Sequence, residues 1–373
     1  MKFSEIVGQS IAIGKVKDAI SNGRLAHALM LTGPEGVGQL PLATAIAQYV
    51  NCLNPQKQDS CGTCSNCVKI HKAIHPDVKL VLPIYSKISG GKRYLTEDFL
   101  PDFREEFTTD PYMSFSAWQR RLGGQNKQLF TSVHEIRHLK KGIYLKAFEA
   151  KFKVVILWRA ELINTAGANA FLKLLEEPPD RTLLILTCSD PSRLLTTINS
   201  RCQRIPMQRI SSEDIASYLI TSREIDQMKA EEVANIAEGS MAKASEYLTE
   251  SNHAISEMYR DWLRMVYVGD YQKIQEKIEP IFKENKEFQK LFLQIAIQKI
   301  RDAMLYHAGT SQLALASHEE QQFLQKFSPY VSPEKVEAIV RHMEDSHRFL
   351  SGNAHPQMVF TTLSLRMHTI LRT

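Results

Sequence analysis

The run Leu31-Thr32-Gly33-Pro34-Glu35-Gly36-Val37-Gly38-Gln39-Leu40 has the glycine spacing of a nucleotide phosphate loop without its two chemical side chains. A working loop reads G-x-x-x-x-G-K-[ST]; its lysine reaches the β- and γ-phosphates and its hydroxyl binds Mg²⁺. Here Gly33 and Gly38 hold the outer positions, Gln39 replaces the lysine and Leu40 replaces the hydroxyl residue. Glutamine carries no charge and leucine ligates no metal. Gly33, Gly36, Gly38 and Gln39 therefore mark a degenerate, vestigial phosphate site, expected to hold ATP weakly or not at all. The flanking sequence suits the motif: His27-Ala28-Leu29-Met30-Leu31 reads as a buried strand and Leu42 to Val50 as an apolar helix face. An ordinary strand-to-helix turn that happens to hold glycines is the alternative.

Working outward, the same alternation returns. Lys153-Val154-Val155-Ile156-Leu157 is a β-branched run typical of a strand buried on both faces of a parallel sheet. In an ATPase this strand ends on a carboxylate that holds Mg²⁺; here it runs into Trp158-Arg159-Ala160-Glu161. Glu161 comes a few residues late, and its simpler reading is a first-turn acid beside a helix dipole. A helix through Ala166, Ala170 and Leu174, on one face at helical spacing, is stopped by Pro178-Pro179. A further strand, Leu183 to Thr187, precedes Ser200-Arg201-Cys202.

A different chemistry is written in Cys52 and in Cys61-Gly62-Thr63-Cys64-Ser65-Asn66-Cys67. Two consecutive C-x₂-C steps on a tight turn, with Cys52 as a fourth corner, suit Zn²⁺ in a closed structural site. Lys57, Lys69 and Lys72 would offset its negative charge. A redox pair or free buried thiols are the alternatives, although a redox site needs only one C-x-x-C. Cys188 and Cys202 read as small core residues.

Composition sets the bounds. A chain of 373 residues is expected to form two or three domains. Its 43% hydrophobic and 23% charged residues are those of an ordinary soluble protein. A net charge of +5, from 46 basic and 41 acidic residues, is too balanced to imply a nucleic-acid-binding face. No apolar signal region opens the sequence and no long uncharged run could span a bilayer, so a cytoplasmic, reducing setting is expected, with no membrane partner and no structural disulfides.

Taken together, the motifs resemble the clamp-loader branch of the AAA+ proteins, most closely the δ′-type subunits of bacterial DNA polymerase III. The resemblance rests on Phe3-Ser4-Glu5-Ile6-Val7-Gly8-Gln9, Arg24-Leu25-Ala26-His27-Ala28, the Gly33–Gly38 loop, the four cysteines, Ala168 to Pro179, and Ser200-Arg201-Cys202. It covers about the first two hundred residues, with one interruption. It implies an α/β fold: an AAA+ (P-loop NTPase-like) parallel-sheet domain over 1–207, a small helical lid over 208–250, and an all-α collar over 251–373. The zinc module would be Cys52, Cys61, Cys64 and Cys67. Arg201 would be an arginine finger acting in trans on a neighbour's ATP, the plain alternative being a solvated arginine. Thr187 to Ser189 falls where these ATPases sense the γ-phosphate. Implied partners are γ/τ- and δ-type subunits in a five-membered ring, and through it the sliding clamp and primed DNA. Two other readings remain: an ATP-hydrolysing γ/τ-like subunit, opposed by Gln39, Leu40 and Trp158-Arg159, and a zinc-stabilised DNA-binding protein, for which no basic helix beside the cysteines is evident.

One stretch departs from that family, which connects these elements more tersely. Pro83 to Phe130 is long and contains Gly90-Gly91, Pro101, Pro111, Gly123-Gly124 and several aromatics. Loops beyond about 15 residues are usually functional or disordered. Tyr112, Phe115 and Trp118 predict partial packing, with no ligand indicated. Beyond it, Ser211-Ser212-Glu213-Asp214-Ile215 is a capping-type helix start. Gly239-Ser240 is a break followed by Lys243, where an active loader's lid offers arginine. Amphipathic helices follow over 256–267, 288–307, 333–349 and 357–371, and bury against one another or a partner.

Overall fold

The computed structural model describes all residues except 57, 87, 90–91, 124–127, 249–250, 311–317 and 373. Lys57, Gly90-Gly91 and Gly124 thus lie outside the described residues. The chain divides into two compact units: residues 1–218 with 237–246, and residues 219–236 with 247–373.

The first unit is built on a parallel sheet. After α1 (Ser10–Ser21) come β1 (Ala28–Thr32), α2 (Gln39–Val50), α3 (Ser65–His71) and β2 (Val78–Val81). The interrupting stretch follows as β3 (Ile88–Ser89), β4 (Lys92–Arg93), α4 (Thr96–Thr109) and α5 (Phe115–Arg121). Then come α6 (Val133–Ile143), β5 (Lys153–Leu157), α7 (Thr165–Glu176), β6 (Thr182–Cys188), α8 (Thr196–Asn199) and β7 (Gln203–Pro206). The strand order is β2-β5-β6-β1-β7, every pairing parallel. Parallel strands need crossover connections, and here helices supply them on both faces.

Alternate residues of the strands feed two cores. Leu29, Leu31, Val154, Ile156 and Ile185 face one with α1 and α2; Ala28, Met30, Val155, Leu157 and Leu186 face the other with α6 and α7. This explains why β1, β5 and β6 read as continuous apolar runs. On α7 the buried stripe is Gly167, Ala168, Phe171, Leu174 and Leu175, whereas Ala166 is exposed. The face expected through Ala166 is therefore rotated by about one residue, because Phe171 supplies more apolar surface than either alanine. Cys188 and Cys202 are buried, as a core role requires.

The interrupting stretch is not a loose loop. Phe99, Phe103 and Phe107 recur at helical spacing on α4 and enter the first core with Met113, Trp118 and Leu122. Trp118 is fully buried, its indole N–H donates to the Pro83 carbonyl at 2.9 Å, and its ring meets Phe103 edge-on at 5.8 Å.

Three shorter helices follow in sequence, α9 (Ser212–Arg223), α10 (Gln227–Ile236) and α11 (Met241–Tyr247), broken at Gly239-Ser240 as expected. Ser211 caps α9 by accepting the Asp214 N–H. The second unit contains α10 and a helical bundle of α12 (Ser251–Val268), α13 (Tyr271–Lys283), α14 (Lys286–His307), α15 (His318–Phe327), α16 (Pro333–Ser351) and α17 (Pro356–Arg372). Trp262, Phe292 and Phe360 form its centre, and the Trp262 indole donates to Ser364 Oγ at 2.8 Å. Among the described residues no helix is long and apolar enough to cross a membrane.

Candidate functional site

The phosphate loop is shaped by its glycines and closed by its glutamine. Gly38 caps α2 with φ +98°, in the left-handed region that a side chain makes costly. Gly36 has φ +81°, and a Cβ there would sit 2.2 Å from Ser240 Oγ. That hydroxyl donates to the Glu35 carbonyl at 2.8 Å, and the Met241 N–H donates to the Gly36 carbonyl at 2.9 Å. Where a lysine would reach outward to phosphate, the Gln39 amide turns back and donates to the carbonyls of Gly33 and Pro34, both at 2.7 Å. Leu40 is buried in the core.

The strand end opposite the loop is equally altered. Arg159 adopts φ +55° directly after β5. Its guanidinium lies 2.8 Å from a Glu35 carboxylate oxygen and 3.2 Å from one of Glu161; both are ion pairs whose angles fall outside hydrogen-bond geometry. Glu161 lies in a short 3-10 turn (Ala160–Leu162), buried, and accepts the Ser189 N–H at 3.2 Å. It is thus a first-turn acid of that short helix and a buried partner of Arg159. Thr187 Oγ1 accepts the Arg159 N–H at 2.9 Å. The loop, the strand end and the 187–189 position, all singled out from sequence, are therefore brought together and bonded to one another. The pairing of Glu35 with Arg159 escaped sequence reasoning; its only signal was an arginine where an acid normally stands.

Arg201 is elsewhere. β7 pairs with β1 in the register Leu29↔Gln203 to Thr32↔Pro206. Arg201 precedes β7 and so lies at the start of the parallel strands, while the phosphate loop lies at their end. Six residues of strand register separate it from Gly33, roughly 20 Å at about 3.3 Å per residue. Its side chain is 37% exposed, pairs with Glu176 at 2.8 Å and donates to the Thr197 carbonyl at 3.0 Å. Arg201 has no route to its own chain's loop.

The four cysteines converge. The Sγ atoms of Cys52, Cys61, Cys64 and Cys67 all lie within 4.8 Å of one another. Cys61 Sγ and Cys67 Sγ are 3.9 Å apart, far beyond a disulfide bond of about 2.05 Å. A tetrahedron with Zn–S bonds of about 2.3 Å has edges of about 3.8 Å, so the donor set fits that ion. The Cys61 N–H donates to Cys52 Sγ and the Cys64 N–H to Cys61 Sγ, both at 3.3 Å. Backbone donors from Thr63 and Cys64 hold the Cys61 thiol down at about 6, whereas burial pushes the Cys67 thiol up. Lys69 is engaged with Glu149 at 2.7 Å. Asp59, inside the module, accepts the N–H groups of Phe3, Ser4 and Ser60, which tie it to the amino-terminal segment.

Comparison with known proteins finds a family and several relatives. The model of a family described as "DNA polymerase III, delta subunit" matches residues 8–211, more than half of the chain. The DNA polymerase III subunit gamma of Buchnera aphidicola subsp. Acyrthosiphon pisum is 28% identical over 259 residues, 68% of this chain and 59% of that protein. The subunit tau of Bacillus subtilis is 22% identical over 382 residues, 96% of this chain and 60% of that one. The subunit delta' of Bacillus subtilis is 27% identical over 295 residues, 78% of this chain and 76% of that one. The chain thus spans about 60% of the length of these two gamma and tau relatives.

Proposed function

The chain belongs to the DNA polymerase III delta-subunit family, and we propose that it serves there as a non-catalytic, δ′-type subunit of the clamp loader. In this reading it assembles with γ/τ- and δ-type subunits in a hetero-oligomeric ring of five. The ring loads the sliding clamp onto primed DNA, and this chain supplies Arg201 to a neighbour's ATP. The helical bundle of the second unit is the collar that joins the ring. Cys52, Cys61, Cys64 and Cys67 hold one structural Zn²⁺.

The observation that carries the reading is the chemistry missing from the phosphate loop. Gln39 spends its amide on loop carbonyls, Leu40 is in the core, and Arg159 occupies the position of the metal-binding carboxylate. The register that separates Arg201 from its own loop supports action in trans. An arginine so supplied contributes about 10³–10⁵ in rate. A γ/τ-like ATPase would need the lysine, the hydroxyl and the acid that this chain lacks together.

The test is direct. The purified chain, incubated with Mg·ATP, is expected to release no phosphate above background. Turnover that persists through purification and disappears in a Gly38→Ala or Glu161→Gln variant would overturn the reading.

A further inference from the structure

The turn between α4 and α5, in the stretch foreign to the family pattern, lies against the phosphate loop. Tyr112 is 3% exposed, and its ring Cε1 is 3.0 Å from the point where a Cβ on Gly38 would stand. Its hydroxyl accepts the Val7 N–H at 2.9 Å. Three residues on, the Phe115 N–H donates to Glu35 at 2.6 Å, and the Phe115 ring lies 4.8 Å from the Arg159 guanidinium. Ser114 caps α5 by accepting the Ala117 N–H, and the hydroxyls of Ser114 and Ser116 donate to Glu246. Fully buried Trp118 anchors the helix behind them.

What remains beside the loop is a cavity of about 30 Å³. Small-ligand sites run to about 300–1,000 Å³. Charge works in the same direction as volume. The Arg159 guanidinium is shared between the carboxylates of Glu35 and Glu161, so this cluster of three side chains carries a net negative charge.

We propose that residues 110–118 are an intramolecular occupant of the nucleotide site, which excludes nucleoside triphosphates by volume and charge. The proposal rests on reading Gly33–Gln39 as a phosphate loop and goes beyond the loss of the lysine. Even a repaired loop stays closed while the turn is in place. It gives the foreign stretch a role: the contacts a nucleotide would make with the loop are made by the chain itself, and the unit keeps one conformation whatever the nucleotide level.

The experiment is a comparison of four proteins by titration with a fluorescent ATP analogue and Mg²⁺, each first checked for a native circular dichroism spectrum. The wild type, the repaired loop (Q39K/L40T) and the opened turn (Y112A/F115A) are expected to show no saturable binding at millimolar analogue. The combined variant is expected to bind at least about tenfold more tightly than either pair alone, about 1.4 kcal/mol. Binding by Q39K/L40T with the turn intact would overturn the proposal while leaving the non-catalytic reading standing. Saturable binding by the wild type would likewise overturn the proposal, whereas the non-catalytic reading falls only if that protein also releases phosphate from ATP. A folded combined variant that stays unable to bind would also refute the turn as the barrier. If Y112A/F115A does not fold, Tyr112→Gly alone is combined with Q39K/L40T, and the same outcomes decide.

Discussion

Replacing Trp118 by alanine tests whether the stretch between β2 and α6 is part of the nucleotide-fold core or an attachment to it. The indole is fully buried, packs edge-on against Phe103 at 5.8 Å and Trp158 at 6.4 Å, and donates to the Pro83 carbonyl. Truncating a buried tryptophan costs about 3–5 kcal/mol through lost transfer energy and the cavity left behind. The unpartnered carbonyl adds about 1 kcal/mol. A unit of this size loses about 2–4 °C of thermal midpoint per kcal/mol, so Trp118→Ala should lower the first unfolding transition by about 10–20 °C. The assay is a thermal melt followed by near-ultraviolet circular dichroism. Arg120→Ala is the control: it sits on the same helix, and its 4.0 Å pair with Glu246 is half exposed, a contact worth at most about 1 kcal/mol. If both variants melt within a few degrees of wild type, the stretch is peripheral and its contacts with the loop do not close the site.

The remaining expectations concern metal and pH. Freshly purified protein should carry one zinc per chain by metal analysis, and Cys64→Ser should lose it together with order in α3, because structural zinc contributes about 10–16 kcal/mol in small modules; a wild type free of zinc would refute the assignment. Asp77 is buried, which opposes ionisation, yet three N–H donors at 2.8 Å, from Phe148, Glu149 and Ala150, hold its carboxyl below the ordinary 3.8. A lowered folded value means the unfolded chain binds more protons between the two values, so this contribution is complete above the ordinary value and drains away as pH falls through the folded one. Stability measured from pH 6 to 3 should fall more steeply for wild type than for Asp77→Asn; parallel curves would show that the carboxylate does not hold that loop.

How much of this was legible in the sequence depends on how local the signal is. The strands β1, β5 and β6 announced themselves because strands buried on both faces must be apolar at every position. The cysteine set was legible because ligand spacing is written within a few residues. Helix α13 was harder: Pro280 lies inside it, and its buried face is three isoleucines, Ile274, Ile278 and Ile281, among charged neighbours. The turn at Tyr112 was legible only as partial packing, not as a neighbour of the phosphate loop. Its meaning lies in contacts with Gly38, Val7 and Glu35, whose distance along the chain no periodicity records. The same is true of Arg159, whose partner Glu35 is an unconstrained position of the loop motif.

The central claim, that this chain acts on a neighbour's nucleotide and not on its own, is tested most directly by Arg201→Ala in a reconstituted clamp loader. The variant gives up a half-exposed ion pair with Glu176, at most about 1 kcal/mol of stability, so it should fold and assemble as wild type does. The DNA- and clamp-stimulated ATPase rate of the complex should fall by the share of the one site that Arg201 serves, since that site loses a group worth about 10³–10⁵ in rate. An intact complex with an unchanged ATPase rate would contradict the account.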